Sequence, residues 1–371
     1  MAASTKLRLR GFWLQVHKWI GITLAVLIIP LCLTGSALVW GEWVDGIANP
    51  QRYPDSGEAA LAPSVYAEAA RGAAQPGERL QSLAFPDGNG SVQAMLIKPA
   101  EGGGRPSRAT IYLDPASGQL IERAQGMSGI VGVFHQLHGS LLIPGVGRQI
   151  VGWIGVLMLI SSLTGIWLWW PVTGSVRRGF RWRRQPTTNA NLHYLGGFWI
   201  AIPLAMLSFT GAWISFPVFF GGLIGATVQQ GPGGPPGAGQ AQPLAETHLS
   251  PEAALAVARG QGHLAQITFP KERTPEWTVV YTDDDGRTET KVNDVTGAAV
   301  PAPPPPPEPF ARLMRRLHDG TGMGPVWQTV IFVGGIIPAG LGVTGVIMWW
   351  RTRKWRGGAE PRRRAESVAA E

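Results

Sequence analysis

Seven histidines occur in the 371-residue chain, and four of them recur at matched spacings. His17 is followed by Gly21 at +4 and by Thr34-Gly35, the glycine at +18; His193 is followed by Gly197 and Thr210-Gly211 at the same offsets. His138 precedes Thr164-Gly165 and Trp169-Trp170, with Gly165 at +27 and Trp170 at +32, and His318 precedes Thr344-Gly345 and Trp349-Trp350 identically. Two ungapped matches of this kind mark a tandem duplication. Each of these histidines sits at the edge of an apolar segment, where an ionisable group is a functional candidate. A capping or headgroup contact would explain any one of them. Four in matched pairs favour metal ligation. Two facing helices that supply one imidazole each suit bis-histidine ligation of a b-type haem. Zinc or copper also takes histidine, but such sites gather three or four ligands together.

The elements that must hold these residues are membrane spans. Four stretches lack Asp, Glu, Lys and Arg for about the 20 residues a bilayer crossing needs. They place helices at 19–40, 148–171, 193–220 and 325–350. Fifteen of the 16 Trp lie in or near them, as in interfacial aromatic belts; Trp277 is the exception. The first span is followed by bulky Trp40 and Trp43, unlike a cleavable signal peptide. The only cysteine, Cys32, excludes an internal disulfide and any Cys-x-x-Cys or Cys-x-x-Cys-His motif.

The net charge of +8 is sorted by these spans. Residues 1–18, the connection 172–192 (with Arg177, Arg178, Arg181, Arg183 and Arg184) and the tail 351–371 hold 16 of the 32 basic residues. The long loops hold 21 of the 24 acids. The positive-inside rule therefore puts both termini and residues 172–192 in the cytoplasm of a bacterial inner membrane, and loops 41–147 and 221–324 in the periplasm. The basic excess reads as topology and contact with the lipid bilayer, with no nucleic-acid partner.

On this topology His17 and His193 lie near the cytoplasmic surface and His138 and His318 near the outer one. The expectation is two haem b groups, one on each pair. Gly35 and Gly211 fall at the outer level, because Gly35 is about 27 Å along a helix from His17. Gly165 and Gly345 reach the inner level. The missing side chains would leave room for a flat macrocycle, although glycine there equally serves close helix packing. His135, one turn before His138, is read as an outer-side substrate, propionate or alternate-ligand residue. Arg148 is assigned either to a haem propionate or to a topological role at the lipid surface. His248 and His263 have no matched partner and read as surface residues.

The loops repeat too. Leu80-Gln-Ser-Leu-Ala-Phe85-Pro86 echoes Leu264-Ala-Gln-Ile-Thr-Phe269-Pro270, and Asp114–Gly118 echoes Asn293–Gly297. Helical patterns at Ser64–Arg71 and Ser250–Arg259, with Ser250 as N-cap, are followed by strand-like segments at Val92–Ile97, Thr110–Leu113, Trp277–Tyr281 and Thr288–Val292. Each loop is therefore expected to be a small α+β domain. Gly231–Gly239 and Pro301–Pro307 read as linkers.

The fold class is thus an internally duplicated four-helix transmembrane bundle with two small α+β extracytoplasmic domains. Val16-His17-Lys-Trp-Ile-Gly21, the Leu-His pairs at 137–138 and 317–318, and the runs Leu163–Pro171 and Val343–Trp350 resemble the PepSY-associated transmembrane family. Tyr112–Gly118 and Lys291–Gly297 look like PepSY-domain segments. The resemblance spans about residues 10–356 and implies a haem-dependent reductase of ferric siderophores, Fe(III) to Fe(II), at the periplasmic face. Hydroxamate and catecholate oxygens are hard ligands matched to Fe(III), so reduction releases the iron. No flavin or nicotinamide motif is visible, which leaves the electron donor to an unidentified partner. The competing expectations are a non-enzymatic PepSY sensor or inhibitor, and an iron-siderophore permease. The latter lacks an intramembrane acid for a cation path.

Overall fold

The computed structural model describes residues 2–99, 106–126, 128–170, 177, 180–182, 185–225, 241–283, 286–300 and 310–368. The linkers expected at 231–239 and 301–307, and Arg178, Arg183 and Arg184 of the basic connection, lie outside these residues. Two compact units emerge: Met1–Gly41, Val133–Val228 and Pro309–Glu371 form a helical unit, and Glu42–Gly132 with Gln229–Glu308 form a sheet unit.

The helical unit is built on α1 (Ala2–Val39), α5 (Gly147–Trp169), α6 (Thr188–Ser215) and α10 (Gly324–Val368). Each contains a segment long and apolar enough to cross a membrane: Leu7–Val39, Gly147–Trp169, Thr188–Ser215 and Gly324–Arg353. The third ends earlier than the hydropathy reading placed it. Pro217 cannot continue a helix; the chain turns at Phe216 into the separate helix α7 (Pro217–Leu223). Helix α6 is started by Thr187, whose side chain accepts from Ala190 N at 3.2 Å.

The four long helices pack in a ring, α1 against α5 and α10, and α6 against α5 and α10. Glycine sets the closest approaches, and it does so at corresponding positions. A methyl on Gly155 would lie 3.1 Å from the Ser208 carbonyl oxygen and 3.6 Å from Ala212 Cβ. A methyl on Gly335 would meet the Cys32 carbonyl oxygen at 2.5 Å and the Ser36 hydroxyl. Gly155 and Gly335 differ by 180 residues, and Cys32/Ser208 and Ser36/Ala212 by 176, the offsets of the histidine pairs. Two short helices, α4 (Gly129–Ser140) and α9 (Phe310–Asp319), precede α5 and α10 and carry His138 and His318.

The sheet unit departs from the expectation of two domains. Its strands β1 (Arg79–Ala84), β2 (Val92–Lys98), β3 (Ser107–Leu113), β4 (Leu120–Gln125), β5 (His263–Thr268), β6 (Glu276–Asp283), β7 (Gly286–Asn293) and β8 (Ala299–Val300) form one eight-stranded sheet in the order β4-β3-β2-β1-β5-β6-β7-β8. Every pairing is antiparallel. The join is β1 on β5, with Leu83 opposite Ile267. These are equivalent residues of the two echoing heptapeptides, and each strand carries a register shift at the same place, Leu80/Ser82 and Leu264/Gln266. Separate domains would leave both strands with an unpaired edge; pairing them removes it.

One core serves both halves. Tyr66, Leu83, Leu96, Ile111, Ile267, Trp277, Val279 and Val292 are buried in a single cluster. Helices α3 (Pro63–Gly72) and α8 (Pro251–Ala258) pack on the sheet and on each other. Glu252 in the first turn of α8 accepts from Ser64 N at 2.7 Å, and Ser250 caps α8 through Ala253 N at 3.1 Å. Trp277, the tryptophan away from the spans, is fully buried and donates Nε1–H to Asp294 at 2.7 Å. Asp294 also accepts from His248 N and Leu249 N, which ties the segment before α8 to the turn after β7. His248 is thereby placed at this turn, with an exposed side chain. His263 begins β5.

Arg52 holds the outer half of the sheet. Its guanidinium is 5% exposed, lies 2.9 Å from Asp45 and 2.5 Å from Glu122, and stacks over Tyr112. The hydrogen bond from Arg52 holds the Glu122 carboxyl below the usual range. Arg52→Met is expected to destabilise β3–β4 by about 3 kcal/mol, because it strands two carboxylates. Hydrogen exchange of those strands in the full-length protein checks it. Since Glu122 is depressed in the folded state, this contribution is present above the unfolded carboxylate pKa and is lost as pH falls through the folded value.

Candidate functional site

The four repeat-matched histidines come together in two pairs. The ring centroids of His17 and His193 are 6.4 Å apart with planes at 82°, and those of His138 and His318 are 6.0 Å apart with planes at 42°. Two imidazoles on one metal ion each place a nitrogen about 2 Å from it. With a ring centre roughly 1.2 Å beyond each nitrogen, an opposed pair would be separated by about 6.4 Å. Both pairs fit that spacing. Among the described residues, no cluster of three or more His, Cys, Asp or Glu could hold a bare ion.

Each imidazole is held in the same way, through Nδ1. His17 Nδ1 lies 3.0 Å from the Ser161 carbonyl oxygen and 3.2 Å from Thr164 Oγ1, and the Ser161 hydroxyl stands at 3.2 Å. His193 Nδ1 lies 3.0 Å from Thr344 Oγ1. His138 Nδ1 lies 2.8 Å from the Leu31 carbonyl oxygen. His318 Nδ1 lies 3.1 Å from the Leu207 carbonyl oxygen and 3.0 Å from Thr210 Oγ1. Carbonyl oxygens only accept, so wherever one is the partner the proton is on Nδ1. The Nε2 lone pair is then left for a metal, the tautomer that ligating histidines adopt.

The Thr-Gly pairs supply this cradle. Thr34, Thr164 and Thr210 turn their hydroxyls back onto the carbonyl four residues earlier, at 2.7–2.9 Å. In Thr164 and Thr210 that leaves the hydroxyl oxygen facing the imidazole. The glycine that follows makes room for the ring. A methyl on Gly35 would sit 2.6 Å from His138 Cε1, on Gly211 3.0 Å from His318 Cε1, on Gly165 3.3 Å from His17 Cε1, and on Gly345 3.4 Å from His193 Cε1. The group seated against each of these glycines is an imidazole.

Burial pushes the imidazoles of His138 and His318 down, reinforced by His135 on the first and by His138 itself on the second. The neutral imidazole that burial favours is the form that ligates a metal. His135 is exposed on α4, one turn before His138. Arg148, in the first turn of α5, donates to the Ile214 carbonyl near the end of α6. This satisfies a helix-end acceptor. Arg10 does likewise for α5, donating to the carbonyls of Trp167, Leu168 and Trp170. Arg10 was not singled out in the sequence; its place among the first-span basics made it look purely topological.

Four apolar crossing helices with paired, Nδ1-anchored histidines define a multi-pass membrane protein. The chain belongs to the family described as the PepSY-associated TM region, which matches residues 14–352. No curated protein matches it.

Proposed function

We propose that this chain is an internally duplicated electron-transfer protein of the bacterial inner membrane. His17/His193 and His138/His318 would each hold one haem b between their imidazoles, and a ferric siderophore would be reduced on the extracytoplasmic side. The observation that carries this reading is the pair of imidazole separations, 6.4 and 6.0 Å, with every ring anchored through Nδ1. The haems, when bound, would supply one-electron redox chemistry across the bilayer. The chain's own part is to fix each ring, keep its Nε2 basic and exclude water from the pair. The sorting of Lys and Arg supports a topology with His138 and His318 at the periplasmic level and both termini in the cytoplasm. Family membership, the echoing heptapeptides and the matched bulges of β1 and β5 support a duplicated, PepSY-like sheet unit.

The test is an optical spectrum of the detergent-purified protein, oxidised and then reduced by dithionite, with haem counted per chain. A low-spin b-type spectrum near two haems per chain is the expected result, followed by reduction of a ferric hydroxamate. A colourless protein after expression with ample haem would favour the sensor reading and sink this one.

Thr344→Val gives a graded check. It removes the acceptor 3.0 Å from His193 Nδ1 while keeping the volume. Haem content is expected to stay, and the midpoint potential of that site to rise by a few tens of millivolts, on the order of one weakened hydrogen bond. Potentiometric titration of the variant reads it.

A further inference from the structure

We infer that Arg315 and His135 form the anchor for the two propionate carboxylates of the haem held by His138 and His318, an inference that rests on the haem reading above. The two residues occupy corresponding places. Each lies three residues, one helical turn, before its axial histidine, His135 on α4 and Arg315 on α9. They are 180 residues apart, as His138 and His318 are. Residues three apart share a helix face, so each stands over its own ligand histidine. Both side chains are exposed. Each occupies the turn of its helix that is farther along the chain from the span that follows, α5 or α10. A haem carries its two carboxylates on one edge, where they need cationic or hydrogen-bonding partners. Two exposed donors, each one helical turn from an imidazole of a pair 6.0 Å apart, match two carboxylates.

The electrostatics agree with the geometry. His135 acts on the His138 imidazole and Arg315 on that of His318. Among the described residues Arg315 makes no hydrogen bond or ion pair with an acid, which leaves its guanidinium fork for a carboxylate. Its neighbour Arg316 is committed to the Thr321 and Gly322 carbonyls. Arg148, the earlier candidate for a propionate, is engaged by the Ile214 carbonyl.

The experiment isolates this site in the full-length chain with His193→Ala and removes bound haem. The apoprotein is then titrated with haemin or with haemin dimethyl ester, whose propionates are blocked, and the Soret band is followed. Arg315→Gln is expected to weaken haemin binding about tenfold and leave the ester unchanged; His135→Gln should act in the same direction, less strongly. The unchanged ester affinity doubles as evidence that each variant is folded. Equal loss for both ligands, or no loss for haemin, overturns the assignment while the haem reading stands. Unchanged haemin affinity with a raised KM for an anionic ferric complex would move the two residues to the substrate and equally overturn it. A parent protein that takes up neither ligand sinks the haem reading itself.

Discussion

His193→Ala is expected to leave the protein with one haem per chain and no electron transfer across the bilayer. His193 and His17 face each other at 6.4 Å, and no third His, Cys, Asp or Glu stands ready among the described residues to replace either. With one of the two imidazoles gone, a haem proposed to sit between them would be held only weakly. Haem per chain should fall from about two to about one, since each site depends on its own pair. The His138/His318 pair is held by Leu31, Leu207 and Thr210, none of which touches His193, so its spectrum should persist. Reduction of an externally added ferric complex by a donor on the opposite face of a proteoliposome should drop to background. A variant that keeps both haems would refute the pairing; one that loses both would show the sites to be coupled through folding.

Gly35→Leu should be nearly as severe without touching a ligand. Even a single methyl at position 35 would lie 2.6 Å from His138 Cε1 and 2.9 Å from Nδ1, closer than real contacts allow. Either α1 moves or the imidazole leaves the Leu31 carbonyl, and a packed bundle yields poorly to overpacking. The ring is then the part that goes. Haem at His138/His318 is expected to be lost, with His17/His193 intact. Gly345→Ala offers the contrast: its methyl would meet His193 at 3.4 Å, an ordinary contact, so haem content should hardly change. If Gly35→Leu binds two haems normally, the glycine is not the seat of the imidazole.

Much of the helical unit could be read from residues alone. Four uncharged runs gave four crossing helices, because the bilayer demands length and apolarity and little else. The recurring His and Thr-Gly spacings foretold which histidines would meet. Spacing put each Thr-Gly at the level of the other histidine pair; what it could not reveal is that the imidazole itself rests on the glycine, His17 on Gly165 and His138 on Gly35. That depends on the packing of antiparallel neighbours, and a one-dimensional pattern carries no record of it. The sheet was harder for the same reason. Val92–Ile97 and Trp277–Tyr281 were visible as strands, but the central pair β1 and β5 showed only as an echo, Leu80–Pro86 and Leu264–Pro270. A strand's partner lies in the other loop, and alternation says nothing about who sits beside it. The role of Asp294 under Trp277 was equally hidden, since a buried carboxylate has no local signature.

The pairing of β1 with β5 also sets an order of events during synthesis. Ala84 emerges about 180 residues before Thr268, and two crossing helices lie between them. At roughly 5–20 residues per second the wait is about 10 to 35 seconds. Through that interval the first half of the sheet stands with β1 as an open edge. Its core still lacks Ile267, Trp277 and Val279. The same delay applies to the first histidine pair, since His193 is made 176 residues after His17.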